Sequence, residues 1–286
     1  MARKIAWSTL ALLTLLATTA VAKPFVFTAI PDEDETRLKE RFDRVAAYLQ
    51  QQLGAEMKFV PVKSYAASVT AFANNQVQMA WFGGLSGVQA RRRVPGSVAI
   101  AQGYEDQAFI SYFIAHASTG LTEGKDFPKG IEGLTFTFGE KGSTSGRLMP
   151  EYFIREHVGK APEQAFRRVG FSGDHSKTLA LVQSGAYQVG ALNFAVWDNE
   201  VKAGKVDPAK VRIIWRTPPY PDYQFTVRGD VDRIYGKGFT ARLTKALLEM
   251  KEPSLLTAFP RQSMIPAQNS DYQPIEDVGR QIGLLD

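Results

Sequence analysis

Residues 142–146 read Gly-Ser-Thr-Ser-Gly. They lie between an apolar run, Leu134–Phe138, and a helical pattern from Leu148 to Val158 with Pro150 in its first turn. A helix begins with about four unpaired backbone N–H groups and the positive end of its dipole. Ser143, Thr144 and Ser145 add hydroxyl donors, and the flanking glycines let the backbone approach closely, so the stretch suits an anion cradle. Simple N-capping, the plainer alternative, needs only one such hydroxyl. Arg147 stands where a phosphate-binding Walker loop requires Lys, which disfavours nucleotides. His175 follows the run Arg167–Phe171 and opens another helical pattern. Its ring suits hydrogen bonding to an oxyanion, most strongly when protonated, or else caps its own helix. Tyr65, just after Ser64 at a helix start, brings a phenol to the same edge or packs as a core tyrosine. Phe82 and Gly83 end a third apolar run, and Gly83 and Gly84 offer bare amides there.

Other chemistries are poorly supported. The chain has no cysteine and three histidines, which removes thiolate metal sites, cysteine nucleophiles and disulfides and leaves little for a His-built metal centre. His116 and His157 read as a strand residue and a helix-end residue. Ser143 or Ser145 with His175 resembles a nucleophile and base only superficially. No G-x-S-x-G elbow is present, and no acid is placed to orient the histidine, so the reading is a binding protein rather than an enzyme. No cofactor, metal or nucleic-acid partner is implied. The net charge of +5 agrees with an anionic ligand without requiring one.

The elements that must position these residues alternate. Pro24–Ile30 reads as a buried strand. A helix then starts at Pro31-Asp32-Glu33-Asp34-Glu35, carries Leu38, Phe42, Val45, Leu49 and Leu53, and stops at Gly54. Strands at Lys58–Val62 and Gln78–Phe82 follow, with a helix of Tyr65, Val69 and Phe72 between them. Arg91-Arg92-Arg93 reads as a solvated helix end. The alternation resumes with strands at Leu134–Phe138, Arg167–Phe171, Val189–Phe194 and Val211–Trp215. A helix spans Ser176–Gln183 among them, and another lies near Arg242–Met250. This is an α/β pattern of two mixed sheets with covering helices. Phe109–Ala117 and Thr217–Pro221 read as crossings, giving residues 23–114 plus 220–286 as one lobe and 115–219 as the other. Ligands of open α/β sheets sit at the carboxyl ends of strands, so the candidate residues should line one electropositive cleft between the lobes.

The first 22 residues read as a cleavable secretory signal: Arg3 and Lys4, an apolar run, then Ala20-Val21-Ala22 before Lys23. With no cysteine for a lipid anchor, the exported protein is expected free in the periplasm as a monomer.

Several segments together carry a resemblance. Ser64-Tyr65-Ala66-Ala67, Val77–Ser86, Gly142–Gly146, Gly173-Asp174-His175 and Pro218-Pro219-Tyr220-Pro221 occur in the order seen in the periplasmic phosphate/phosphite/phosphonate-binding proteins of ABC transporters, which the chain resembles over nearly its whole mature length. Ile30–Glu35 looks like the start of a selenate-binding subgroup. The resemblance implies a type II periplasmic-binding-protein fold with two hinge strands. It also implies a membrane permease as partner, and Tyr65, Ser143, Thr144, Ser145 and His175 around a small inorganic or organic oxyanion. Family members that bind aminoalkylphosphonates hold the ammonium with carboxylates. The matching positions here are Trp197 and Tyr223, and a family tyrosine is matched by Phe109. Poor binding of aminoalkylphosphonates is therefore expected, with phosphonate, phosphite, phosphate, selenate or sulfate favoured. Asp174 and Asp32 are candidate acceptors for a protonated ligand. The rival readings are a binding protein for an amino acid or thiamine precursor and a ligand sensor for a receptor kinase.

Overall fold

Phe25, Phe27 and Ala29 on one face of β1 (Phe25–Ala29) and Thr28 on the other are fully buried, as expected for a strand covered on both faces. The structure, a computed structural model, describes residues 23–256 and 259–285. The expected signal segment lies outside the described residues. After β1, Asp34 caps a helix over Glu35–Leu53, accepting hydrogen bonds from the Thr36 and Arg37 amides at 3.1 Å each. Leu38, Phe42, Val45, Ala46 and Leu49 recur at helical spacing and are buried. Gly54, at φ +63°, ends the helix in the left-handed conformation that glycine adopts without penalty.

The remaining strands are β2 (Met57–Phe59), β3 (Met79–Phe82), β4 (Val98–Gly103), β5 (Ser111–His116), β6 (Thr135–Phe138), β7 (Arg168–Phe171), β8 (Val189–Asn193), β9 (Val211–Arg216), β10 (Gln224–Val227) and β11 (Met264–Pro266). They form two sheets, ordered β11-β4-β10-β3-β1-β2 and β7-β6-β8-β5-β9. In the first, β1 pairs parallel with β2 and β3, and β10 runs antiparallel between β3 and β4. In the second, β6 pairs parallel with β7 and β8, and β5 lies antiparallel to β8 and β9. Each lobe is thus a parallel βαβ core extended by a strand that enters antiparallel from a crossing.

The crossings run between β4 and β5 and between β9 and β10. They touch in a bridge in which the Phe109 and Tyr220 amides donate to each other's carbonyls at 2.8 and 2.9 Å. The division expected after residue 114 falls inside β5, all of which pairs within the second sheet. Aromatic packing fills both cores. Phe42 stacks on Phe59 at 4.9 Å in the first lobe, and Phe113 meets Trp215 edge-on at 5.3 Å in the second. Arg91 departs from the solvated expectation. It folds back over the Tyr272 ring at 5.2 Å and donates to Gln224 Oε1 and Thr226 Oγ1, while Arg92 and Arg93 are exposed.

Candidate functional site

Four strand-to-helix junctions, the last at His175, meet between the sheets. At the first, Ser64 caps the helix Tyr65–Ala73 and accepts from the Ala67 amide at 3.0 Å, which sets Tyr65 on the first turn facing the second lobe. Its phenol is buried beside Ser143. Burial, with the Asp32 charge adding to it, pushes its pKa well above the ordinary tyrosine value.

At the second junction, β3 gives way to the helix Gly84–Arg93. The Gly84 amide donates to Asp222 Oδ1 at 2.8 Å and the Leu85 amide to Thr144 Oγ1 at 3.0 Å. Gly83 is needed for that approach: a Cβ there would lie 3.1 Å from Asp222 Oδ1 and 3.2 Å from Thr144 Oγ1. Phe82 is not part of the cluster. Its ring points into the first lobe's core, edge-on to Phe72 at 5.6 Å.

The third junction is the Gly142–Gly146 stretch. Residues Thr144–Leu148 form one wide π-helical turn leading into the helix Met149–Val158. Single π turns of this kind concentrate at functional sites. Ser143 Oγ caps the turn, accepting from the Gly146 amide at 3.0 Å. Ser111 Oγ, itself 2.5 Å from the Tyr220 hydroxyl, donates to the Ser145 carbonyl at 2.6 Å and ties the turn to the second crossing. Ser145 Oγ, near Tyr220, is buried and meets no partner at hydrogen-bonding geometry.

His175 opens the helix His175–Gln183, which Asp174 caps. The Asp174 carboxylate accepts from the Lys177 amide at 2.7 Å and pairs with Lys177 Nζ at 2.8 Å. It is therefore a capping group and not the acceptor sought in the cleft. The His175 amide donates across the lobes to the Asp32 carbonyl at 3.1 Å. His175 Nδ1 accepts from the Asn193 amide at 3.3 Å, so in the neutral ring the proton sits on Nε2, and Nε2 is buried and unpartnered. Burial pushes the ring's pKa down to about 4 against a smaller upward pull from Asp174, so His175 works as a neutral donor and not as the imidazolium expected. Its Cε1 would stand 2.9 Å from a Cβ on Gly146, which places ring and hydroxyl turn side by side.

Two carboxylates complete the cluster, set among the arginines Arg41 and Arg261. Asp222 is buried, and Oδ2 has no partner. Burial pushes its pKa up to about 7, opposed by the Gly84 amide and the Thr144 hydroxyl. Asp32 is also raised by burial, against the pull of Arg41 and of the Tyr223 hydroxyl. Tyr223 accepts from Asn193 Nδ2 at 2.9 Å, and its ring lies 5.3 Å from Phe109. Trp197 is elsewhere, in the second lobe's core with Leu179 and Leu192. Poor binding of aminoalkylphosphonates is expected from the sequence for want of an acidic partner, and that ground does not hold, because Asp222 and Asp32 are acidic groups in the cleft wall. Asp222 escaped sequence reasoning because its place is set by the second crossing and not by a strand end. The rigid run Pro218-Pro219-Tyr220-Pro221 just before it was the available signal. His116 and His157 stay outside the site, the first accepting from the Ser118 amide and the second stacked on Phe127 at 4.6 Å.

A family model described as "ABC transporter, phosphonate, periplasmic substrate-binding protein" matches residues 27–272. The chain belongs to this family. It is 39% identical over 264 residues to a probable ABC transporter phosphite binding protein, PhnD1, of Prochlorococcus marinus, covering 90% of this chain and 89% of that one. A phosphate-import protein of Mycolicibacterium smegmatis is 28% identical over 214 residues, covering 70% of this chain and 65% of its own. The solved structure of Prochlorococcus marinus PhnD1 with methylphosphonate superposes with a TM-score of 0.87 over 91% of this chain and 98% of that one. This phosphonate-type binding protein is therefore a periplasmic, non-enzymatic component of an ABC transporter with the two-lobed fold. A membrane permease is its partner.

Proposed function

We propose that the protein captures a small, proton-bearing tetrahedral oxyanion such as phosphite, phosphate or methylphosphonate. One observation carries the reading: two buried donors, Ser145 Oγ and His175 Nε2, and one buried acceptor, Asp222 Oδ2, share the inter-lobe cluster without protein partners. Leaving a buried polar group unpaired costs about 1–3 kcal/mol, so three at one place are matched to a ligand that supplies acceptor oxygens and one hydroxyl. Phosphite, phosphate and alkylphosphonate monoanions have that pattern. Sulfate and selenate lack the hydroxyl and face Asp222 oxygen against oxygen once it is ionised, above its pKa of about 7.

Tyr65, Ser143 and the Gly83–Gly84 amides are the remaining candidate contacts, with Phe82 behind them as packing. Thr144, held by Leu85 from the opposite lobe, joins the halves. Closure about the two crossings, which we take as the lobe boundaries, assembles all donors at once and shifts the population of closed protein. Hydrogen bonds to an ionised ligand are worth roughly 1.5–3 kcal/mol each, enough for micromolar or tighter affinity after association costs. Export on residues 1–22 and a monomeric state complete the proposal.

Calorimetry with phosphite, phosphate, methylphosphonate, 2-aminoethylphosphonate, sulfate and selenate on wild type and Asp222→Asn tests it. The expected result is binding of the proton-bearing oxyanions and weak or no binding of sulfate and selenate. In Asp222→Asn, whose amide donates where the carboxylate accepted, phosphite should lose at least tenfold and sulfate should gain. Equal affinity for phosphite and sulfate in wild type would refute the reading.

A further inference from the structure

Arg37 and Glu200 lie on opposite sides of the cleft, outside the cluster of ligand-facing groups. Arg37 is in the first turn of the helix Glu35–Leu53, in the first lobe. Glu200 is near the end of a helix over Phe194–Lys202, in the second. Arg37 Nη2 stands 3.0 Å from Glu200 Oε1. The same oxygen accepts from Ser176 Oγ at 3.2 Å, one residue beyond His175, and Lys205 Nζ is 3.4 Å from Oε2. The Glu200 side chain is 5% exposed and that of Arg37 is 40% exposed. Burial opposes ionisation of Glu200, and Arg37, Lys205 and Ser176 together outweigh it, holding the carboxylate below the ordinary range. Ser176 and Lys205 belong to Glu200's own lobe, so Arg37 is the group whose contact depends on closure.

We infer that Arg37 and Glu200 form a latch that stabilises the closed state without touching the ligand, and so sets how slowly any captured oxyanion escapes. The inference rests on the binding reading above. An ion pair made only in the closed form biases the two-state equilibrium by its own free energy whatever the ligand is. A half-exposed pair contributes modestly and is screened by salt. Arg37→Ala keeps a good helix former, and the Asp34 cap binds only the main chain at this position, so the fold is spared.

The test is a double-mutant cycle on the full chain with Arg37→Ala, Glu200→Gln and the double variant. Calorimetry and stopped-flow kinetics would use phosphite, phosphate and methylphosphonate. Each single variant should raise Kd about two- to fivefold, by the same factor for every oxyanion that wild type binds, through faster dissociation. The double variant should be no worse than the weaker single one, and high salt should narrow the difference from wild type. Additive losses, unchanged Kd, or factors that differ between ligands would overturn the latch. If wild type bound none of the three anions, the binding reading would fail on its own. Small-angle scattering of ligand-free protein would then still decide the latch: wild type should expand on raising NaCl from about 20 to about 500 mM and Arg37→Ala should not. Identical salt responses would overturn it.

Discussion

His175 shows how burial selects one chemical form of a residue. A histidine in an anion-binding cleft suggests an imidazolium, yet the Asn193 amide occupies Nδ1 and the ring is buried, so the neutral Nε2–H form is retained. The consequence is a directional donor whose protonation is opposed by the fold. It also has a stability signature. The unfolded ring takes up a proton below about pH 6.5, whereas the folded ring, with its pKa pushed down to about 4, does not. The stability it contributes is therefore complete above pH 6.5 and is lost as pH falls from there towards 4. Urea unfolding at pH 7 and pH 5 should show wild type losing roughly 2 kcal/mol more than His175→Asn over that interval. Asp222 titrates in the same window with the opposite sign, but it does so in both proteins and cancels in the comparison. Equal losses would mean that the ring is exposed or charged.

At the level of elements, the glycines of the second and third junctions serve different contacts. A Cβ on Gly83 would press on Asp222 Oδ1 and Thr144 Oγ1 at 3.1 and 3.2 Å. Thr144 belongs to the other lobe, so opening relieves half of that contact. A Cβ on Gly146 would meet His175 Cε1 at 2.9 Å and Ser143 Oγ at 3.0 Å, both within its own lobe. Gly83→Ala should therefore lower oxyanion affinity by roughly tenfold or more while leaving the melting temperature of ligand-free protein nearly unchanged. Gly146→Ala should cost about 1–3 kcal/mol of stability even without ligand. Thermal unfolding beside calorimetry separates the two, and a large loss of ligand-free stability in Gly83→Ala would contradict the account.

The same junctions explain what was legible in the sequence. Tyr65, Gly83, Ser143 to Ser145 and His175 announce themselves locally, because an apolar run followed by a capping residue marks a strand end wherever it occurs. The structure brings them together. Elements without such punctuation were missed. The helix Phe194–Lys202 is one, because β8, itself expected, passes into it with no break: Asn193 both ends the strand and caps the helix, accepting from the Ala195 amide at 2.7 Å. The strand β4, Val98-Ala99-Ile100-Ala101-Gln102-Gly103, has small residues and no alternation. Asp222, Tyr220 and Tyr223 depend on how one crossing lies against the other, a long-range fact that no window of sequence contains.

At the scale of the molecule, two crossings join the lobes, and in the proposed reading they are the hinge about which the cleft closes. Between the closed lobes the structure leaves a space of ≈ 20 Å³ lined by Asp32, Arg41, Asn193 and Tyr223, room for about one water. Direct cross-lobe bonds, from the Leu85 amide to Thr144 and from the His175 amide to the Asp32 carbonyl, surround the unpartnered atoms. Ser145, His175 and Asp222 are not among the residues lining that space; in the proposed reading the anion lies against their three unpartnered atoms, with Asp222 as the one acceptor. The most direct measurement is a crystal structure of the protein grown with phosphite. Three anion oxygens or hydroxyls should lie within about 3.2 Å of Ser145 Oγ, His175 Nε2 and Asp222 Oδ2 respectively. An anion bound elsewhere, or one in the cleft that leaves these atoms unpaired, would contradict the account.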